Sequence, residues 1–519
     1  MRTRICDRSR TVIAVIASIM LMVGMTAFAG GQAEEVDPAD VPQDLVIGQL
    51  SDIVSLDPHG SNDSPSSNVR TKIYETLVYF DTDMELQPGL ATDWEAIDET
   101  TWRFNLREGV TFHDGEPFNA EAVQASLERV SDEEFGSERF FLFDMITEVN
   151  IVDDYTVDIV TEYPFAPILS HLAHDGGGII SPAAVEEAGY DEVEPVGTGP
   201  FQFESWEPGD ELVLVRNEDY WGEPVNLDSV TFQVVPEEST RLALVEAGDV
   251  HVAPFEQPAN QARVEGSQTM DLMLYDSLSL DYIGMNTQSE PFDDVLVRQA
   301  ISMAIDRQTM VDGILEGAGI PAIGPLSPLV FGFSDDVDTL DYDPEQAQEL
   351  LAEAGYEDGF ETTIWTNDNA RRMEIAEIVQ NDLAEIGIDV EIEVLEWGAY
   401  LDQTAEGNHD MFILGWVTVT GDADYGLYAL FHSDNHGAVG NRSFYTNEEV
   451  DELLDEGRLE PDMEERERIY EEVQNALVPE APHLNLYHPQ WMIAVHESVE
   501  NYNHHPDNMM LLNEVMLTE

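Results

Sequence analysis

The chain has 519 residues, of which 106 are acidic and 21 basic, for a formal net charge of -85 at pH 7. That sign excludes nucleic acid and anionic membrane surfaces as partners. The single cysteine is Cys6, so the remainder of the chain can hold no disulfide, Cys-ligated zinc, iron–sulfur cluster or thiol nucleophile.

Residues 1–29 read as an export signal. Arg2, Arg4, Arg8 and Arg10 form a basic n-region, Thr11 to Met25 is mostly apolar, and Ala27-Phe28-Ala29 is an A-x-A cleavage site. A retained membrane anchor is the alternative, since the apolar run is close to the lower limit for spanning. The small-residue site followed at once by Gly30-Gly31-Gln32 favours cleavage, and Gly30 stands where a lipoprotein would carry cysteine. The product is then soluble outside the cytoplasmic membrane, and no later segment reaches transmembrane length free of charges.

Cleavage removes four Arg and one Asp, leaving 17 basic against 105 acidic residues, a net of -88. Lys72 is the only lysine. Acidic residues are spread along the whole length, so they form no disordered tail. Self-repulsion on this scale destabilises a compact fold in dilute buffer. In molar salt the screening length shrinks to about 3 Å and the repulsion largely disappears. The composition is that of an exported protein from a salt-rich environment.

Residues 30–44 form a Pro- and Asp-containing acidic linker. Leu45 to Leu50 reads as a first strand, which opens into a Ser/Asn-rich loop before a helix through Val69, Ile73 and Leu77. That loop either lines a site or caps the helix, and capping is the plainer use of its residues. Trp102, Phe104 and Leu106 alternate with polar residues as in a half-buried strand, and Asp114-Gly115 supplies a turn. Asn119 caps a helix with Val123, Leu127 and Val130 on one face.

Val297, Ile301, Ala304 and Ile305 share a helix face, as do Ala376, Val379, Leu383 and Ile386. Asp389 to Leu395 alternates acidic and apolar residues, a strand with one wet face. Helix-length and strand-length segments alternate through 360–416, which argues for an α/β sheet. Met411 to Leu414 are four consecutive apolar residues, expected of a strand covered on both faces. The run ends at Gly415-Trp416 and gives way to Val-Thr-Val-Thr-Gly-Asp-Ala-Asp-Tyr425, in a loop continuing to Phe431. Open α/β sheets bind ligands where strands end in such loops. An Asn447-capped helix, a helix from Met463 to Leu477 and a late strand His483 to Tyr487 complete the chain.

Several of these pieces together resemble the family 5 solute-binding proteins, the extracytoplasmic receptors of peptide, nickel and related ABC importers. The resemblance rests on Pro88-Gly-Leu-Ala-Thr-Asp-Trp94, Trp102-Arg-Phe-Asn-Leu-Arg-Glu-Gly-Val110 and Phe112-His-Asp-Gly-Glu-Pro-Phe118. It continues through Pro195-Val-Gly-Thr-Gly-Pro-Phe201, Asn217-Glu-Asp-Tyr-Trp-Gly222 and Tyr282-Ile-Gly-Met-Asn286. Pro291 to Ala300, Ala304-Ile-Asp-Arg307, Ala370-Arg-Arg-Met373, Glu396 to Leu401 and Gly415-Trp416 follow in family order. It implies an α/β, two-lobed periplasmic-binding-protein-like fold with an extra subdomain in lobe one. Lobe one would take 45–74, an inserted subdomain at 75–195, 196–280 and a C-terminal return at 489–519, with lobe two at 281–488.

The function implied is capture of a peptide or peptide-like solute by hinge closure and delivery to a membrane permease. The receptor would be a monomer without a cofactor. Alternatives are another solute, such as a metal chelate or oligosaccharide, an exported hydrolase, and a secreted chaperone-like peptide binder. The chain has no G-x-S-x-G, H-E-x-x-H, Walker or G-x-G-x-x-G motif, and with so many acids a carboxylate pair is expected by chance. His171-x-x-His174 and His504-His505 are the only metal-like spacings, and the structural reading is favoured for both.

Seven residues are expected at the ligand: Trp416, Asp422, Asp424, Tyr425, Trp397, Asn286 and Arg371. Trp416 matches the loop that touches ligand in the family. The Asp that pairs with a ligand α-ammonium three residues later is replaced here by Val419, and the loop Trp365 to Asn369 lacks the Arg that meets the α-carboxylate. Asp422 and Asp424 are the nearby carboxylates able to bind an ammonium. Thr418 to Tyr425 with Gly440-Asn-Arg-Ser-Phe-Tyr445 resembles a branch labelled glutathione- or peptide-binding.

Overall fold

The computed structural model describes residues 41–61, 63–188, 193–437 and 440–518. The expected export signal and nearly all of the linker lie outside them. Three sheets organise what is described. The first has seven strands, in the order Met270–Tyr275, Trp491–His496, Val252–Phe255, Asp44–Gln49, Ser229–Val234, Glu211–Arg216 and Phe201–Glu207. Its centre is parallel, because the helix Glu238–Ala247 carries the chain from Ser229–Val234 over to Val252–Phe255. Glu237 caps that helix through the N–H groups of Ser239 and Thr240, and Gly248, at φ 78°, ends it in the left-handed region.

The second sheet is antiparallel, with strands Ala91–Asp98, Thr101–Leu106, Thr156–Thr161 and Ile146–Asp153. The alternation predicted around Trp102 is present. Phe104 is fully buried, while Arg103 points outward and forks onto Asp158 at 2.7 and 2.8 Å. The helix Ala120–Val130, capped by Asn119, packs Val123, Leu127 and Val130 into the same core.

The third sheet has six strands, ordered Gly319–Pro321, His483–Pro489, Ser279–Met285, Met411–Val417, Phe360–Asn367 and Ile388–Leu395. Met411–Val417 lies beside Phe360–Asn367 in parallel and beside Ser279–Met285 in antiparallel register. Its apolar run is covered on both faces, as expected. Met411 and Ile413 enter one core with Ile375, Ala376, Val379 and Leu383 of the helix Ala370–Glu385, and Phe412 and Leu414 enter another. Residues Gln43–Leu517 form one compact unit.

One expected helix is shorter than its periodicity suggests. Ser64–Ile73 stops before Leu77, and Tyr74 is extended. Gly197 and Gly199 bring their backbone so close to the carbonyl of Ile73 that a Cβ at either position would collide with it, and the Gly199 N–H donates to Ile73 O at 2.8 Å. The Gly-Thr-Gly segment therefore supplies the donor that the next helical turn would have supplied.

Candidate functional site

The end of strand Met411–Val417 divides the expected site residues between two faces. Leu280 pairs with Trp416 and Asp281 pairs with Gly415, so their side chains alternate. Trp416 shares its face with Phe412 and Leu414, whereas Asp281 shares the opposite face with Ile283 and Met285.

On the first face the loop turns back beneath Trp416. Gly421, at φ 66°, leaves room for Met84, and Asp424–Tyr428 winds as a π-helical turn, a rare geometry that tends to mark functional segments. The Tyr425 ring lies 5.2 Å from that of Trp416 and 6.2 Å from that of Phe141, centre to centre. Trp416 Nε1 is buried and has no hydrogen-bond partner among the described residues. Tyr425 also packs on the core of the four-stranded sheet. Three rings therefore join two parts of the fold and leave one indole donor unused.

Neither aspartate expected to hold an ammonium stands free. Asp422 is 1% exposed, and its carboxylate accepts from Arg466 Nη1 and Nη2 at 3.0 and 2.9 Å, from Asp424 N at 2.9 Å and from Ser170 Oγ at 3.3 Å. A carboxylate offers about four lone-pair sites, so none remains for a ligand amine. Asp424 is also buried, with Oδ1 3.1 Å from Arg458 Nε. Burial and the charge of Asp422 raise the Asp424 pKa to about 6 against the pull of Arg458, whose ring of neighbours includes no well-directed hydrogen bond to Asp424 Oδ1.

A pH dependence follows. A carboxyl with a raised folded pKa adds stability that is fully present below its unfolded value of 3.8 and is lost as pH rises through about 6. The charges facing it are Asp422, Asp455, Arg458 and Arg466. Lys72, buried and lowered to about 7, acts in the opposite sense, because its burial favours the neutral amine at higher pH. The difference between wild type and Asp424→Asn isolates Asp424. Wild type is expected to lose melting temperature relative to the variant between about pH 4 and 6.5 and to run parallel to it above that. Profiles parallel throughout would contradict it.

The second face is cationic. Arg371 and Arg372 occupy the first turn of Ala370–Glu385, behind the Asn369 cap. A helix N-terminus favours anions, so two guanidiniums there are costly unless an anion joins them. Arg371 Nη2 approaches Asp281 Oδ2 only to 3.4 Å, and Arg372 donates to Asn367 Oδ1 at 3.0 Å. Arg372 also lies over Trp397, 5.5 Å from its centroid, and Trp397 is 41% exposed. The buried Arg371 Nε, Arg372 Nε and Tyr487 Oη are without hydrogen-bond partners among the described residues. Tyr487 stands opposite Asp281 in the sheet, and its hydroxyl pKa is raised by burial and by the Asp281 charge. This face has two guanidiniums, with Asp281 and Glu256 as the acidic charges acting on Arg371, and its spare donors suit a carboxylate.

Asn286 is not brought to either group. It follows the far end of Ser279–Met285, where its amide donates to Gly407 O at 3.0 Å and His409 O at 3.2 Å and its Oδ1 accepts from Gln288 N. Six steps of strand, about 20 Å, separate it from Leu280, which stands opposite Trp416. Trp365, on the neighbouring strand, packs on the same core as Trp416 with its Nε1 unpaired. His171 Nδ1 meets Leu142 O at 2.7 Å, and His174 lies beside Arg139 and Asp175. His504 and His505 are buried and bonded to Asn508 and Asp507 respectively.

The sequence reading passed over Asp281, Arg372 and Tyr487. What marks them is burial: strands Ser279–Met285 and His483–Pro489 are buried at every position yet contain Asp281, Asn485 and Tyr487. Buried polar groups need partners. Asn485 Oδ1 and Tyr487 Oη find none among the described residues.

Known proteins share the sequence pattern and the fold. The family model for bacterial extracellular solute-binding proteins, family 5, matches residues 85–438. The glutathione-binding protein GsiB of Salmonella typhi is 35% identical over 462 residues, covering 86% of this chain and 90% of its own. HbpA2 from Haemophilus parasuis superposes with a TM-score of 0.83 at 29% identity, over 92% of this chain and all of that one. The periplasmic binding protein DppA from Helicobacter pylori, solved with the peptide STSA, gives a TM-score of 0.77 at 31% identity, over 92% of this chain and 98% of that one.

Proposed function

Since the chain belongs to the bacterial extracellular solute-binding proteins of family 5, we propose that it is the receptor of an ABC importer for a peptide or peptide-like solute. It captures the solute between two lobes and hands it to a membrane permease. The two-lobed α/β fold is that of periplasmic binding proteins. In our reading the seven- and four-stranded sheets belong to lobe one, with the latter as the inserted subdomain near 75–195, and the six-stranded sheet belongs to lobe two, near 281–488. Residues 489–519 return to lobe one. No helix among the described residues is long and apolar enough to cross a membrane. Release outside the cytoplasmic membrane after removal of residues 1–29 fits the family.

The observation that carries the solute class is the pair Arg371 and Arg372 beside Asp281, with unused donors at Arg371 Nε, Arg372 Nε and Tyr487 Oη. We assign a solute carboxylate to this pair, Trp416 and Tyr425 to the solute backbone, and Trp397 to the outer edge of the site. The relatives named for glutathione and the neighbour holding a peptide support such a solute. Ligand contacts made by both lobes exist only when the lobes are closed, so the solute draws the population toward the closed form. No bond is made or broken.

Titration calorimetry in molar NaCl with glutathione, di- and tripeptides should show saturable one-to-one binding, with the ligand recovered intact by mass spectrometry. Arg371→Met and Arg372→Met should each weaken the best ligand by about tenfold or more, the value of a charge-assisted hydrogen bond. Absence of saturation with every peptide, or release of a cleaved product, would refute the reading.

A further inference from the structure

Asp422 and Asp424 lie where a ligand anchor was expected, yet Asp422 accepts from Ser170 Oγ, which belongs to a different core. We propose that the segment Phe165–Ser170 and the arginine-backed aspartates Asp422 and Asp424 form a clasp that holds the receptor closed, independently of any contact with the solute. The proposal rests on the two-lobed reading above and adds a set of positioning residues to it.

The two sides of the clasp belong to different cores. Phe165, Ile168 and Leu172 pack with the four-stranded sheet, whereas Ala423, Leu427, Leu454 and Tyr470 pack with the six-stranded sheet. Arg466, from the helix Met463–Glu480, is 1% exposed and fixed by Gly457 O at 2.9 Å and Tyr470 Oη at 3.0 Å. Its fork holds the Asp422 carboxylate in one orientation. Three of the four donors to that carboxylate come from its own side. The fourth, Ser170 Oγ, comes from the other.

A second strand of contact runs through Arg458. Its carbonyl accepts from Ala166 N at 2.8 Å, which is a backbone bond between the two sides. Its guanidinium lies 4.0 Å from the Tyr428 centroid and 5.2 Å from that of Phe165, again one ring from each side. The third contact is the stack of Phe141 on Tyr425. Because Tyr425 also lies against Trp416, the clasp is continuous with the residue whose indole donor is unused. Opening the lobes therefore breaks two hydrogen bonds and two ring contacts around carboxylates that remain paired to their own arginines. That explains how Asp422 can be fully buried without facing a ligand.

The test needs no ligand. The chain has no cysteine after Cys6, so Glu148→Cys and Glu464→Cys, at exposed positions one on each side, accept a donor and acceptor dye. Single-molecule transfer efficiency then reports lobe closure in about 3 M NaCl, where surface charges are screened. Ser170→Ala and Asp422→Asn, each in this labelled background, should shift the closed-to-open ratio toward open by about two- to twelvefold, the range for one hydrogen bond. For glutathione, or whichever peptide binds wild type best, Ser170→Ala should speed release by a similar factor with little change in the association rate. An unchanged efficiency distribution in both variants overturns the clasp. So does a pattern in which Ser170→Ala is silent while Asp422→Asn weakens only probes with a free amine, because that pattern makes Asp422 a ligand anchor. Failure of every peptide to bind would refute the solute reading and leave the ligand-free measurement to decide the clasp.

Discussion

Transfer from about 3 M to about 0.1 M NaCl is expected to lower the melting temperature by on the order of 10 °C or more. The chain carries 106 acidic and 21 basic residues, and the structure makes the imbalance at the surface larger still. Arg70, Lys72, Arg129, Arg139, Arg241, Arg298 and Arg466 are all buried. Exposed helices such as Glu448–Leu459, with Glu448, Glu449 and Asp451 in its first turn, have few cations to face. Pairs such as Arg468–Glu465 and Arg263–Glu246 are exposed and contribute little. The surface is therefore nearly of one sign, and its self-repulsion is felt over the Debye length. That length falls from about 10 Å at 0.1 M to about 3 Å at 1 M. Calorimetry across a NaCl series, with an isosmotic sucrose series as a control for solvent exclusion, would separate screening from exclusion. A melting temperature that does not respond to NaCl beyond the sucrose control would contradict the argument.

The elements that were legible from sequence are those fixed by local rules. The alternation of Trp102, Phe104 and Leu106, the Asn119 and Asn447 caps, and the four-residue apolar run before Gly415 each describe a pattern within a few residues. The helix that stops at Ile73 was not legible, because what stops it is the backbone of Gly197 and Gly199, more than a hundred residues later. The site shows the same division. Trp416 and Tyr425 are close in sequence and lie ring against ring. The use of Asp422 depends on Arg466 and Ser170, which no sequence spacing connects to it. A carboxylate in a loop looks free until its donors are known.

Asn286 illustrates the converse error. Its motif, Tyr282 to Asn286, is among those that carry the family resemblance, and the residue is expected at the ligand. A strand is a straight element, however, and seven residues carry the chain away from the site at about 3.3 Å each. Asp281, at the other end of that strand, is the residue of the same segment that reaches the guanidinium of Arg371. The polar residues worth noticing were those in strands whose every position is buried. That criterion needs burial, which sequence alone supplies only for long apolar runs.

Asp175→Ala is expected to cost about 3–5 kcal/mol of stability, and, unlike the surface effect, the loss should be the same in about 1 M and 3 M NaCl. The Asp175 carboxylate lies 2.9 Å from Arg70 Nη2, 3.2 Å from Arg139 Nη2, 3.3 Å from His174 Nδ1 and 2.9 Å from Ser67 Oγ. Arg70 and Arg139 bind further to Ser61 and Ser67, so this one acid ties the helix Ser64–Ile73 to the 139–143 segment and the 174–178 turn. Burial alone would raise its pKa, but Arg139, His174 and Arg70 together hold it well below the usual carboxylate range. A depressed folded pKa means that its contribution is present above the unfolded value of 3.8 and disappears only as pH falls through the folded one, deep in acid. Removing the carboxylate leaves two buried guanidiniums without their shared counter-charge. Salt cannot restore it, because a mobile ion screens what it can approach, and Arg70 is 1% exposed. Urea titrations of wild type and Asp175→Ala at the two salt concentrations measure the difference directly. A loss below about 1 kcal/mol, no more than an exposed pair contributes, or one that vanishes in high salt, would mean that the network is solvated and that the acidic surface alone governs stability.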